Sequence, residues 1–126
     1  MPYHVSKERF SELVEKALAE LPEPFSNALE EVSIELRIRP TRSQLKTVGL
    51  RADDLLLGLY SGVPLTHRHV EAVPHLPDKI DLFQEDIELV SENEAELIEQ
   101  VRVTVLHELG HHFGMDEDDL ERLGYR

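Results

Sequence analysis

The sequence predicts an α+β fold in which one small sheet is packed against a long helix. Three observations predict it: an amphipathic helix near the N-terminus, short strand patterns in the middle of the chain, and a long helical pattern near its end. The chain has 126 residues and a hydrophobic fraction of 40%. This is enough for one modest core, so we expect a single domain over residues 1–126.

The first element is an amphipathic helix that follows Ser6, a residue able to cap it. Its apolar residues recur at the spacing of one helix face. They are Phe10, Leu13, Val14, Ala17, Leu18 and Leu21. Pro22 and Pro24 end this helix, and residues 25–29 are expected to form one more helical turn.

Strand patterns occupy the middle of the chain. Apolar and polar residues alternate over residues 32–39, which predicts a half-buried strand that stops at Pro40. Residues 55–60 and 80–83 are rich in apolar side chains and are the second and third candidate strands. Three short strands predict a small sheet.

The last long element is predicted to be a helix between Ser91 and Gly114. Ser91 and Glu94 have the spacing of a capping box, with Ser91 as the N-cap residue. Gly114 can adopt the left-handed conformation that ends a helix just after Phe113. A short amphipathic helix is expected over residues 118–123. The apolar stripe of the long helix consists of Ala95, Ile98, Val101, Val105, Leu106 and Leu109.

Composition and charge exclude several classes of protein. The chain has 13 Lys and Arg against 26 Asp and Glu, a net charge of −13, which repels phosphate backbones and argues against nucleic acid as a partner. It has no cysteine, so disulfides, thiolate zinc sites and cysteine nucleophiles are excluded. No long apolar run or signal-peptide pattern is present, so we expect a soluble cytoplasmic protein with no membrane partner.

The residues that carry chemistry are His107, Glu108 and His111, which form an HExxH motif on the long helix. Residues four apart lie on one helix face, so both imidazoles can bind one metal ion, and zinc is the metal that this motif predicts. Glu108 lies beside them and can act as a general base on a water molecule without binding the metal. A catalytic zinc needs a third protein ligand, and the carboxylates of Asp116 and Glu117 follow the helix end.

The motif and its surroundings resemble a known family. Residues 107–114, HELGHHFG, are similar to the extended HExxHxxG pattern of metzincin-like metallopeptidases. Together with the N-terminal helix and segments 56–65 and 80–83, they resemble a family of small bacterial zincin-like metallopeptidases of about this length. The resemblance covers nearly the whole chain and implies a minimal zincin fold, with a small mixed sheet behind the active-site helix.

The resemblance also implies roles for single residues. It makes Glu117 the first choice for the third zinc ligand and Asp116 the alternative, at the point where longer metzincins have a histidine. His107 and His111 are then the other two zinc ligands, and Glu108 is the general base. The implied activity is hydrolysis of peptide bonds in a peptide or an unfolded polypeptide.

Two alternatives to a peptidase stay open from the sequence. The first is a zinc-binding adaptor domain, weak or inactive in catalysis, whose groove binds a partner polypeptide. The small size favours it, because little chain is left for substrate subsites. The second is a metal-dependent nuclease, against which Glu108 and the net negative charge both argue.

Five further residues are candidates for secondary roles. Tyr60, His112 and Tyr125 could each donate a hydrogen bond to the oxyanion that develops during hydrolysis. His67 and His69 are two residues apart and would share one face of a strand, which could form a second metal site. No third ligand for such a site is evident nearby, and exposed loop histidines are the simpler interpretation.

The negative charge is concentrated in the half of the chain that contains the motif. Residues 78–126 have 4 basic and 15 acidic side chains, a net charge of 4 − 15 = −11. A negative field around the cleft attracts positive ligands. We therefore expect a preference for cationic, unfolded peptide substrates.

Overall fold

The structure is a computed structural model that describes residues 2–62 and 78–124. These two ranges contain six helices and three strands. The helices are α1 (Lys7–Ala19), α2 (Phe25–Ala28), α3 (Arg42–Thr47), α4 (Gln84–Leu89), α5 (Glu94–His112) and α6 (Glu117–Leu123). The strands are β1 (Ser33–Arg37), β2 (Gly58–Ser61) and β3 (Lys79–Phe83).

The three strands form one mixed sheet in the order β1-β3-β2. The central strand β3 runs parallel to β1, with Ser33 opposite Lys79, and antiparallel to β2, with Gly58 opposite Leu82. Four of the five residues of β3 are buried, as expected for a central strand covered on both faces. The predicted α+β class and the small mixed sheet are confirmed.

The core lies between α1, α5 and the sheet. Helix α1 begins after Ser6, whose hydroxyl accepts the N–H of Arg9 over 3.0 Å, and its predicted apolar stripe faces α5. Burying such a stripe against a second apolar face is the main source of stability for a short helix. The fully buried apolar residues from α1, α5 and β3 are Phe10, Leu13, Ala17, Ile80, Leu82, Phe83, Leu97, Val101, Val105, Leu106 and Leu109.

Strand β2 approaches α5 very closely at Gly58. A Cβ atom added there would lie 2.6 Å from Cγ2 of Thr104 and 3.2 Å from the main-chain oxygen of Asp81. Only a residue without a side chain fits between the helix and the central strand at this point. This contact places the edge of the sheet directly beside the HExxH turn of α5.

The predicted capping box at the start of α5 is wrong. The N-cap residue is Asn93, whose side chain accepts the N–H of Glu96 over 2.9 Å, while Glu96 accepts the N–H of Glu92. Ser91 is buried and donates its hydroxyl to Ile87 in the preceding helix. Two overlapping patterns, Ser91 to Glu94 and Asn93 to Glu96, satisfy the same spacing rule, and tertiary packing selects the second.

Several boundaries also differ from the predictions. Strand β1 ends at Arg37, and Ile38, predicted to face the core, is 52% exposed. The second strand begins only at Gly58, three residues later than predicted. In the stripe of α5, Ala95 is exposed and Leu97 is buried in its place.

Helices α3 and α4 were not predicted. Thr41 and Gln44 form a capping box at the start of α3, which the sequence contains just after Pro40. Helix α4 has no side-chain cap, so its sequence gives no comparable signal. Within the described ranges, no helix is long and apolar enough to cross a membrane.

Candidate metal centre

Helix α5 places the two motif histidines on its exposed side near the C-terminal end. The rings of His107 and His111 meet edge to face with their centroids 5.0 Å apart. The side chains are 19% and 32% exposed, so both reach solvent while their backbones are fixed in the helix. The spacing of four residues brings the two imidazoles together, as predicted.

A tight turn after α5 brings the chain back toward these histidines. Gly114 has φ = 82°, the N–H of Gly114 donates to His111, and the N–H of Met115 donates to Gly110. This pair of hydrogen bonds is the Schellman motif, which uses a left-handed glycine to end a helix. The predicted stop just after Phe113 is confirmed.

Helix α6 then presents Glu117 to both histidines. Glu117 Oε1 lies 3.3 Å from His107 Nε2 and 3.2 Å from His111 Nε2. Leu120 of α6 is fully buried against Gly110, where a Cβ atom would clash with the Leu120 side chain. The glycine inside the HExxH motif therefore allows α6 to lie close enough for Glu117 to face the site.

Asp116, the alternative ligand, has a different role in the structure. It is the N-cap residue of α6, and its carboxylate accepts the N–H of Asp119 over 2.8 Å. Asp119 accepts the N–H of Asp116 in return, which completes a capping box. Because this carboxylate stabilises the helix start, we keep Glu117 alone as the candidate third ligand.

The donor set suits a zinc ion. Two imidazole nitrogens and one carboxylate oxygen form a common ligand set for catalytic zinc. Ligand atoms around a tetrahedral zinc at 2.0–2.1 Å lie roughly 3.3 Å from one another, which matches the two distances from Glu117 Oε1. His107, Glu108 and His111 also form a group whose potential ligand atoms all lie within 4.8 Å of one another.

Glu108 lies deeper than the histidines, under the edge of β2. Its side chain is 12% exposed, and its Oε2 is 3.8 Å from His107 Nε2. Its Oε1 accepts the main-chain N–H of Tyr60 over 2.7 Å. Burial raises the pKa of Glu108, and the Tyr60 N–H and the two histidines offset this rise only in part.

A cleft of about 340 Å³ opens along β2 in front of the four site residues. A second cavity of about 230 Å³ adjoins it and extends along α5 toward the N-terminus of that helix. Its apolar walls come from Leu56, Leu57 and Val103, and it shares His107 and Glu108 with the cleft. The site residues thus lie where an elongated groove meets an apolar cavity.

The three candidate oxyanion donors have separate outcomes. Tyr60 lines the cleft, and its hydroxyl lies 3.3 Å from His112 Nδ1, so its role as an oxyanion donor stays a prediction. His112 is fully buried, so it cannot contact a substrate directly, and this candidacy is wrong. Tyr125 lies outside the described residues, as do His67 and His69 of the possible second metal site.

Two features of the site have no clear sequence signal. The N–H that holds Glu108 belongs to the main chain of β2 and depends on how the sheet is placed against α5. Asp78 is buried beside His112, with its Oδ2 2.9 Å from His112 Nδ1. A single aspartate between Pro77 and Lys79 gives no indication of this contact.

Comparisons with known proteins show the family to which the chain belongs. The family model described as zincin-like metallopeptidase matches residues 29–125, and the chain belongs to this family. A conserved hypothetical protein from "Thermo thermophilus" is similar in structure, with a TM-score of 0.53 and 30% sequence identity. The alignment covers 94% of this chain and 97% of that protein. No curated protein is significantly similar to the chain.

Membership of this family implies a metal ion, usually zinc, and the His-Glu-His group of α5 can hold one. The predicted zincin-like class is therefore confirmed at the level of the family and of the fold. The roles of His107, Glu108, His111 and Glu117 stay predictions that the geometry supports.

Proposed function

We propose that the protein is a zinc-dependent metallopeptidase in which His107, His111 and Glu117 hold the metal and Glu108 is the general base. The observation that carries this proposal is the position of Glu117 Oε1, 3.2–3.3 Å from both histidine Nε2 atoms. The two histidines belong to α5 and Glu117 belongs to α6, and Glu108 Oε2 lies 3.8 Å from His107 Nε2. When bound at this site, zinc polarises a peptide carbonyl and makes a water molecule more acidic.

The four site residues have separate proposed roles in metal binding and proton transfer. His107 and His111 bind through neutral Nε2 atoms, and ionised Glu117 supplies one negative charge. Glu108 takes the proton from the attacking water and passes it toward the leaving amine. The Tyr60 N–H fixes Oε1 of Glu108, which leaves Oε2 on the side facing His107.

The groove is suited to an extended polypeptide. The cleft runs beside β2, so an extended substrate can lie along this strand in front of the four site residues. The adjoining apolar cavity can take one hydrophobic side chain next to the bond that is cleaved. We propose a peptide or an unfolded polypeptide as the substrate class.

Metal analysis and peptide cleavage test this proposal together. Purified protein should contain about one zinc per chain, and His107→Ala or His111→Ala should lose it. Glu108→Gln should keep the zinc but cleave an unstructured peptide library at least roughly 100-fold more slowly. Glu99→Gln is a matched control on the exposed side of the same helix, and its cleavage rate should equal that of the wild type.

The result also separates a peptidase from an adaptor domain. If the zinc-loaded wild type cleaves none of the peptides, and both it and Glu108→Gln retain a bound polypeptide, the peptidase function is contradicted. This result would support the adaptor domain. Cleavage that persists in Glu108→Gln would contradict the role of this residue as general base.

A further inference from the structure

Tyr60 connects β2 to two points on α5. Its main-chain N–H donates to Glu108 Oε1 over 2.7 Å, and its hydroxyl oxygen lies 3.3 Å from His112 Nδ1. Glu108 and His112 are four residues apart, so they lie on the same face of the helix. Strand β2 therefore contacts α5 at two points that are one helical turn apart: the proposed general base and a buried histidine.

A buried carboxylate holds this histidine in place. His112 Nδ1 lies 2.9 Å from Asp78 Oδ2, and the two side chains are only 0% and 2% exposed. Because an ionised carboxylate only accepts, the Nδ1–H of His112 faces Asp78 Oδ2 in this arrangement, and the Tyr60 hydroxyl oxygen lies within reach of the same N–H as a second acceptor. Asp78 directly precedes β3, and its main-chain oxygen accepts the N–H of Ser33 at the start of β1. The pair is thus fixed to the sheet as well as to α5.

The surroundings leave little room for Tyr60 to move. Its ring meets the imidazole of His112 edge to face, with the centroids 5.8 Å apart. A Cβ atom at Gly62 would clash with the Asp78 carboxylate and would lie 3.0 Å from the Tyr60 hydroxyl oxygen. The Tyr60 side chain is thus bounded by His112 and Gly62 on the side away from the cleft, while its main-chain N–H donates to Glu108.

We propose that Asp78 and His112 form a positioning pair that fixes Tyr60 and, through the Tyr60 main-chain N–H, the carboxylate of Glu108. This inference rests on the proposed peptidase function. Asp78 and His112 are buried and touch no substrate. Their role is to hold Glu108 with Oε1 occupied by the strand and Oε2 turned toward the metal side of the cleft.

A purely structural tie would behave differently from a positioning pair. It would lower the stability of the fold when broken, but the correctly folded fraction would keep its turnover rate. A positioning pair changes the turnover rate of folded, zinc-loaded protein, because a general base displaced by a fraction of an ångström transfers protons poorly.

The test combines kinetics with the exchange of one amide proton. His112→Leu removes the Nδ1–H and keeps an apolar side chain, while Tyr60→Phe removes only the hydroxyl. In both variants we expect kcat to fall roughly 10- to 100-fold, with KM and zinc content unchanged. In the metal-free proteins, NMR should show the Tyr60 amide proton exchanging about tenfold faster with solvent, because its acceptor Glu108 is no longer held.

Two further variants make the result specific. His112→Asn places an amide N–H near the position of Nδ1, so it should recover most of the turnover rate and slow exchange of the Tyr60 amide. Val101→Ala removes buried apolar volume from α5 away from this network. It should lower stability while kcat and Tyr60 exchange stay at wild-type values.

Definite outcomes overturn the inference. If folded Tyr60→Phe and His112→Leu keep the wild-type kcat, the positioning role is contradicted. It is also contradicted if exchange of the Tyr60 amide is unchanged in these two variants, or if it is equally fast in Val101→Ala. If His112→Leu does not fold, Tyr60→Phe alone decides. A wild type without peptidase activity contradicts the proposed function instead, and the amide exchange still decides whether the pair holds Glu108.

Discussion

Asp116 and Glu117 are neighbours in the sequence, yet the structure gives them different tasks. One carboxylate caps helix α6, and the other faces the two histidines at 3.2–3.3 Å. The difference arises because the turn at Gly114 and the buried contact between Leu120 and Gly110 fix the orientation of α6. An acidic pair after an HExxH helix does not by itself reveal which member faces the metal.

Substitution of the two acids tests this difference. Glu117→Gln should weaken zinc binding at least about tenfold, because an amide oxygen is a poorer ligand than a carboxylate. Asp116→Asn is the matched control: asparagine caps helices as well as aspartate does, so zinc affinity and stability should stay close to wild type. Titration of the metal-free proteins with zinc against a competing chelator measures both affinities.

The opposite result would reassign the ligand. Zinc affinity that falls in Asp116→Asn and not in Glu117→Gln would mean that α6 rearranges when the metal binds. Asp116→Ala adds a separate check, since loss of the cap should cost about 1 kcal/mol of stability without lowering zinc affinity.

At the scale of elements, the site depends on how closely β2 lies against α5. Gly58 has no left-handed backbone conformation, so steric contact alone explains the glycine at this position. The nearest atom to an added Cβ is the Thr104 methyl group at 2.6 Å, and Gly58 lines both the cleft and the apolar cavity. The spacing between strand and helix therefore sets the width of the groove.

Gly58→Ala tests this spacing. We expect a loss of about 1–3 kcal/mol in the free energy of unfolding, because the methyl group overpacks a filled contact. Thr104→Ser removes the opposing methyl group, so the double variant should regain most of the lost stability. Denaturant unfolding of the wild type, both single variants and the double variant gives the coupling energy. If the changes in the free energy of unfolding are purely additive, the Thr104 methyl group is not what the added methyl group contacts.

Some boundaries of the helices could be predicted from the sequence and others could not. The stripe of α1, the Ser6 cap and the stop after Phe113 are local patterns of a few residues, and all three are confirmed. The start of α5 is also local, but its two overlapping capping patterns are resolved by distant groups. Glu94 is held by Arg9 of α1 at 2.6 Å, and the main-chain oxygen of Ser91 accepts the N–H of Tyr3.

Across the whole molecule, the negative charge predicts substrate preference. The net charge of −13 becomes −13 + 2 = −11 with one bound zinc ion. Most of this charge belongs to residues 78–126, which supply α5, α6 and the metal centre. Such a field raises the local concentration of positive ligands and is screened by salt.

Cationic peptides should therefore be cleaved faster than acidic ones at low ionic strength. Between about 0.1 M and 1 M salt the screening length falls from about 10 Å to about 3 Å, and kcat/KM for a cationic peptide should fall several-fold. A neutral peptide of the same length and cleavage site is the control and should change little. Equal rates for acidic and basic peptides at low salt would contradict this preference.

The family, the α+β class and the helix that carries His107, Glu108 and His111 can all be predicted from the amino-acid sequence. This is possible because an HExxH motif needs only the periodicity of one helix to align its side chains. The groups that lie opposite that helix face depend instead on how the helices and the sheet pack. The choice of Glu117, the main-chain N–H that holds Glu108 and the burial of His112 against Asp78 all join groups from separate elements. Such contacts depend on packing distances between α5, α6 and the sheet, which no local pattern encodes.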